Sequence, residues 1–178
     1  DKSRLPNWKY LNPELLNKSY DPGQKYSIPH LWGITGIFVN DKYYDPNSIH
    51  GWNDLWNSKY SDRLLMLNDL REVFCMSLLS IGQDPNTNDP NVIKAAYKKL
   101  VLLQPNIKLF IDDTVISIIT DEDATIGMAW NGDAFKAMQE NPHIHFVFPK
   151  EGYVLWTDNF AIPKGAPHIA NAYRFLNY

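Results

Sequence analysis

Carboxylates and tryptophans follow or end several predicted strands, and these residue types are suited to binding a ligand. Asp69 and Glu72 follow one such strand, and Trp130 ends another. Trp156 and Asp158 are two residues apart in a third strand, so their side chains share one face of it. Aspartate is disfavoured in strands, so Asp158 suggests a role other than strand formation. Carboxylates neutralise ammonium groups, while indole rings attract cations and pack against methylenes. The combination predicts a site for a cationic organic ligand.

Structural roles compete with this interpretation. Asp69 and Glu72 form a D-x-x-E pattern before an apolar run, which is typical of a helix N-terminal cap. A cap position can also face the crevice at a strand end, so the two roles can coexist. Asp112 follows another predicted strand and is a further candidate, but Asp112 and Asp113 could instead cap the next helix. Trp130 fits a core position as well as a site.

Other chemistries have little support. His143 and His145 share one strand face, but no third ligand is apparent, so no metal site is expected. Cys75 lies in an apolar helix and is expected to be buried and inert. The sequence contains no glycine-rich phosphate loop and no G-x-S-x-G elbow. We therefore expect no catalysis and no cofactor.

The elements that must position these residues alternate between strand and helix. Apolar, β-rich segments predict strands at 28–40, 64–67, 107–111, 125–130, 144–148 and 153–162. Helical periodicity predicts helices at 70–81, 91–103 and 132–140. Residues 114–119 fit a helix or a strand, and the neighbouring elements favour a helix. This alternation indicates an α/β layer fold, in which ligands bind beyond the carboxyl ends of the strands. Asp69, Glu72 and Asp112 follow such ends, and Trp130 lies at one.

Composition excludes several classes of protein. The chain has 178 residues, a net charge of −3 and a pI near 5.9, which argues against a nucleic-acid or anionic-membrane binder. No apolar run approaches the roughly 18 residues of a membrane span, so no membrane insertion is expected. The 6 Trp and 10 Tyr exceed what a core needs, so some should face a ligand. Trp52 and Trp56, at helical spacing, are expected in the core.

The two ends suggest a longer protein. The chain begins with Asp1, and its last residues, 167–178, have a helical pattern with no C-terminal capping signal. We expect these residues to be a piece of a longer chain.

Four segments together resemble the periplasmic spermidine/putrescine-binding proteins of bacterial ABC transporters. They occur in that family's order and cover nearly the whole chain. They are LNPELLNKSYDP with YSIPHLWGITGIFVN (residues 11–40), NDLREVF (68–74), MAWNGDAF (128–135) and FPKEGYVLWTDNFAIP (148–163).

The resemblance implies one lobe of a two-lobed, flytrap-like fold, built as three αβα layers with a mixed sheet. Residues 32–156 would form lobe two. Residues 1–31 and 157–178 would be remnants of lobe one, expected to be poorly packed or recruited by another chain. It also implies a periplasmic receptor that delivers its ligand to a membrane permease.

The resemblance further implies that a polyamine is held between the lobes by carboxylates and tryptophans. The matching positions are Asp69, Glu72, Trp130, Trp156 and Asp158, with Asp112 where the family often has a small polar contact. Alternative hypotheses are a receptor for another cationic or polar solute, a polyamine sensor, and, more remotely, a carboxylate-based glycosidase.

Overall fold

Strands and helices form where the hydrophobic pattern predicts them. The computed structural model describes residues 1–178. Its strands are β1 (Ile28–Asn40), β2 (Leu64–Leu67), β3 (Ile107–Ile111), β4 (Ile126–Trp130), β5 (Ile144–Val147) and β6 (Val154–Phe160). Its helices are α1 (Leu70–Ser80), α2 (Pro90–Leu103), α3 (Val115–Thr120), α4 (Asn131–Glu140) and α5 (Ile169–Leu176). None of them has both the length and the apolar character needed to cross a bilayer.

Contacts divide the chain into two units. The central unit is Gly33–Leu155, and the terminal unit combines Asp1–Trp32 with Trp156–Tyr178. The chain passes from one unit to the other within β1 and again within β6.

The sheet is mixed. Its strand order is β3-β2-β4-β1-β5, and β6 also pairs with β1. β2 runs parallel to both β3 and β4, whereas β1 runs antiparallel to β4 and β5. The expected α/β fold class with a mixed sheet is confirmed.

Helices cover both faces of the central sheet. All residues of β2 are fully buried. Successive strand side chains point to opposite faces, so complete burial requires a layer on each side. α1 packs on α2, and α3 packs on α4. Two helix pairs and the sheet therefore make the three-layer arrangement.

Local capping sets the bounds of α1. The Asp69 Oδ1 atom accepts a hydrogen bond from the Glu72 backbone N–H at 3.0 Å, so Asp69 is the N-cap that the sequence predicts. At the other end, Gly82 adopts φ +68°. Its N–H bonds the Leu79 carbonyl and the Gln83 N–H bonds the Leu78 carbonyl, both at 2.9 Å. This left-handed cap satisfies carbonyls that the helix leaves open.

The predicted capping of α3 by Asp112 or Asp113 is wrong. Thr114 occupies the N-cap position, and no side chain makes a capping hydrogen bond there. An N-cap directly precedes the first helical residue, here Val115, so both aspartates lie too early in the chain. They are exposed.

One carboxylate organises the turn that leads into β1 in the terminal unit. Asp21 accepts hydrogen bonds from the backbone N–H groups of Lys25, Tyr26 and Ser27 at 2.9–3.0 Å. It also accepts one from the Ser27 hydroxyl at 2.8 Å. Burial alone would raise the pKa of Asp21, but these hydrogen bonds lower it to about 2.

Few side chains of the terminal unit are buried. The buried residues there are Leu5, Asp21, Gln24 and Pro29.

Gly127 in β4 offers a test of how closely the central strands pack. Its φ is +153°, and an added Cβ would lie 2.0 Å from the Leu65 carbonyl oxygen. We expect Gly127→Ala to lower the free energy of unfolding by about 1–3 kcal/mol, because the backbone of β2 must shift. Urea unfolding measures this change.

Gly132→Ala is the matched control. A Cβ at Gly132, in the first turn of α4, would meet nothing within 4 Å. We expect this variant to be neutral or slightly stabilising. Equal unfolding free energies for the two variants would contradict the packing argument.

Candidate functional site

A buried carboxylate joins three elements of the central unit. Glu72, in the first turn of α1, is 7% exposed. The Thr35 hydroxyl of β1 donates a hydrogen bond to its Oε2 atom. The Trp130 Nε1–H at the end of β4 donates one to its Oε1 atom at 3.1 Å. Each carboxylate oxygen therefore has one donor.

Strand register places the two donors side by side. Thr35 of β1 pairs directly with Trp130 of β4. The next residue, Asn131, opens α4, and its Oδ1 atom accepts a hydrogen bond from the Ile34 backbone N–H at 3.0 Å. Directly opposed residues have neighbouring side chains, so both donors can reach the same carboxylate.

The charge on Glu72 has no cationic partner. The ion pairs of the structure are Lys42–Glu122 and the contacts of Asp41 with His143 and His145. Burial raises the pKa of Glu72 above its usual value, and the nearby charge of Asp69 adds to this effect. The hydrogen bonds from Thr35 and Trp130 oppose the rise. An uncompensated carboxylate of this kind favours a cation.

Glu72 does not complete a capping box. In that motif the glutamate side chain would return to the backbone N–H of the N-cap residue. Here the carboxylate is turned toward β1 and β4 instead. Asp69 caps the helix, but Glu72 is left for another role. This part of the capping prediction is wrong, because contacts across the sheet replace the local one.

Trp156 and Asp158 both lie in β6 of the terminal unit. Asp158 is exposed and Trp156 is half-buried. The Trp156 Nε1–H is buried and has no hydrogen-bond acceptor in the chain. Leaving such a donor unsatisfied costs about 1–3 kcal/mol, so it marks a position where an acceptor would be stabilising.

The structure brings some of the predicted residues together. Asp69, Glu72 and Trp130 converge in the central unit. Asp112 follows β3, which is parallel to β2, and so lies at the same sheet edge as Asp69. It makes no side-chain hydrogen bond with the other three. Trp156 and Asp158 belong to the terminal unit.

Thr35 is a candidate site residue that sequence reasoning missed. It lies fully buried in β1, and its hydroxyl contacts the carboxylate directly. A polar residue within the otherwise apolar segment ITGIFV was the available signal. A buried hydroxyl needs a hydrogen-bond partner. Its partner could not be identified without the register of β1 and β4.

An apolar groove of about 410 Å³ lies elsewhere in the central unit. α1, α2 and β3 form it, through side chains that include Leu70, Tyr97 and Phe110. Asp69 reaches its rim, but neither Glu72 nor Trp130 lines it. The groove therefore shares Asp69 with the carboxylate cluster but does not include Glu72 or Trp130.

The other singled-out residues have structural roles. Trp52 is fully buried and donates to the Gly152 carbonyl at 2.8 Å, and Trp56 packs against the core. Cys75 is buried, as expected. His143 and His145 each contact the Asp41 carboxylate at 2.7 Å. The hydrogen bond from His145, followed by that from His143, lowers the pKa of Asp41.

The central unit is a mixed α/β domain that carries an uncompensated carboxylate beside an indole. A family model described as bacterial extracellular solute-binding protein matches residues 1–178. The chain belongs to this family.

Known relatives are similar over the whole chain. A spermidine/putrescine-binding periplasmic protein of Salmonella typhimurium is 43% identical over 178 residues, which are 100% of this chain and 51% of that protein. A putrescine-binding periplasmic protein of Escherichia coli is 32% identical over an alignment of 197 residues, which covers 100% of this chain and 53% of that protein. The chain thus spans about half the length of these relatives.

A solved structure supports the fold. The spermidine/putrescine ABC transporter substrate-binding protein of Streptococcus pneumoniae superposes with a TM-score of 0.83 at 34% identity. The match covers 99% of this chain and 55% of that one.

Replacing the indole tests the hydrogen bonds to Glu72. Trp130→Phe keeps an aromatic ring but removes the N–H donor, so we expect the pKa of Glu72 to rise further. NMR titration of the carboxyl carbon measures it. Trp56→Phe is the matched control, because that indole donates to the Lys99 carbonyl. A Glu72 pKa that is the same in both variants would refute the assigned role of Trp130.

Proposed function

We propose that residues 1–178 are part of a polyamine-binding receptor that supplies a bacterial ABC transporter. The observation that carries the proposal is the buried Glu72 carboxylate, which lies against Trp130 and has no cationic partner. A protonated amine would neutralise this charge, and the indole would pack against the adjoining methylenes. The names of the relatives, spermidine/putrescine-binding and putrescine-binding, support the same ligand class.

The remaining contacts come from residues assigned on the same chemistry. Asp69 and Asp158 would pair with further ammonium groups, and Trp156 would provide a second ring. Asp112 is a weaker candidate, since it is exposed and follows the edge strand β3.

The proposed organisation places the ligand between two lobes of a longer protein. Residues 32–156 would form lobe two, and residues 1–31 and 157–178 would belong to lobe one. The two units of the chain support this division. In the full-length receptor, a ligand that contacts both lobes would stabilise the closed form. A membrane permease would then recognise that form, and the periplasm is the expected location.

The proposed role is binding without chemical change. Membership of a solute-binding family supports it. The carboxylates would serve as counter-charges rather than as an acid and a base.

Neutralising a single carboxylate tests the ligand class. In the full-length protein, Asp158→Asn should weaken spermidine binding about ten- to a hundredfold, because a charge-assisted hydrogen bond contributes about 1.5–3 kcal/mol. Isothermal titration calorimetry measures the affinity. Asp121→Asn, at an exposed position in the turn after α3, is the control and should leave the affinity unchanged. Equal affinities in the two variants would remove Asp158 from the site.

A thermal-shift panel separates the alternative functions. A ligand that binds only the folded protein at about a hundred times its Kd adds about 2.7 kcal/mol of stability. We expect spermidine and putrescine to raise the melting temperature of the full-length protein. Neutral oligosaccharides should leave it unchanged. Stabilisation by oligosaccharides alone would favour the glycosidase alternative.

A further inference from the structure

Thr35 is placed to control the Glu72 carboxylate. It is fully buried in β1, and its one hydroxyl proton is directed to the Glu72 Oε2 atom. Its cross-strand partner Trp130 donates to the other oxygen. An indole N–H can only donate, so this contact favours the ionised carboxylate. The two donors also set the direction in which the carboxylate points.

Burial and the two hydrogen-bond donors shift the pKa of Glu72 in opposite directions. Desolvation raises the pKa of Glu72, and Asp69 at the N-cap of the same helix repels its charge. The strands packed against it contribute the Thr35 hydroxyl from β1 and the Trp130 indole from β4, neither of which is charged. In the absence of a cation, a proton is therefore the group that can neutralise this carboxylate.

We propose that Thr35 is a positioning residue that aims Glu72 and favours its ionised form, and that binding of a cationic ligand to this buried carboxylate is coupled to release of a proton from Glu72. This inference rests on the proposed function. An ammonium group and a proton compete for the same carboxylate. Ligand affinity should therefore be complete above the pKa of Glu72 and should fall as the pH drops through it.

Calorimetry of the full-length protein with spermidine tests the coupling. Titrations in buffers of different ionisation enthalpy, between about pH 5 and about pH 8, give the number of protons released per ligand bound. The wild type should release more protons as the pH falls. Glu72→Gln should lack this release, because its side chain does not titrate.

Thr35 variants distinguish a positioning role of the Thr35 hydroxyl from a purely structural role of the side chain. Thr35→Val keeps the shape but removes the donor, so proton release should begin at a higher pH, and the affinity at the acidic end should be about tenfold weaker. Thr35→Ser retains the hydroxyl and should restore the wild-type profile. If Thr35→Val does not fold, the comparison of wild type, Thr35→Ser and Glu72→Gln still tests the coupling.

The outcomes distinguish this inference from the proposed function. Spermidine binding with the same proton release in the wild type and Glu72→Gln would overturn the coupling and leave the function standing. Identical profiles for Thr35→Val and the wild type would overturn the role of Thr35. A wild-type protein that binds no polyamine at any pH would overturn the proposed function and the coupling with it.

Discussion

The hydrogen-bonded Glu72 carboxylate connects the architecture of the central unit to its chemistry. Removing a carboxylate from water costs several kcal/mol, which the Thr35 and Trp130 donors offset only in part. To make both contacts, α1 must lie over β1 and β4, and those strands must keep the register that pairs Thr35 with Trp130. A shift of either strand by one residue would turn its donor to the opposite face of the sheet and separate the two donors. The geometry of this carboxylate therefore depends on the whole layered unit.

The same arrangement distinguishes Glu72 from carboxylates that are already neutralised or satisfied within the chain. A carboxylate that is already paired with a lysine or arginine would have little to offer a ligand cation, and none of the ion pairs in this chain involves Glu72 or Asp69. Asp21 is the contrasting case. Its carboxylate is also buried, but hydrogen bonds to the next turn satisfy it and lower its pKa to about 2. Asp21 shapes a loop, whereas Glu72 keeps a charge available.

Much of the fold could be predicted because its determinants are local. The all-apolar strand β2, the Asp69 cap of α1 and the left-handed Gly82 are readable from a few neighbouring residues. Capping by Asp112 was predicted wrongly, because a pattern cannot locate the first residue of a short helix to within one position. The candidate carboxylates and rings were also predictable by residue type. Their contacts were not, because residues 35, 72 and 130 are far apart in the chain.

Sequence by itself determined the α/β class, the bounds of most elements and the set of acidic and aromatic candidates, since hydrophobic period and residue chemistry are properties of short segments. Only the tertiary structure decided what Glu72 does. In the sequence it is the second half of a D-x-x-E cap, and in the fold its carboxylate leaves the helix terminus for Thr35 and Trp130. Strand pairing and helix packing bring those donors to it, and such long-range contacts depend on the register of the whole sheet.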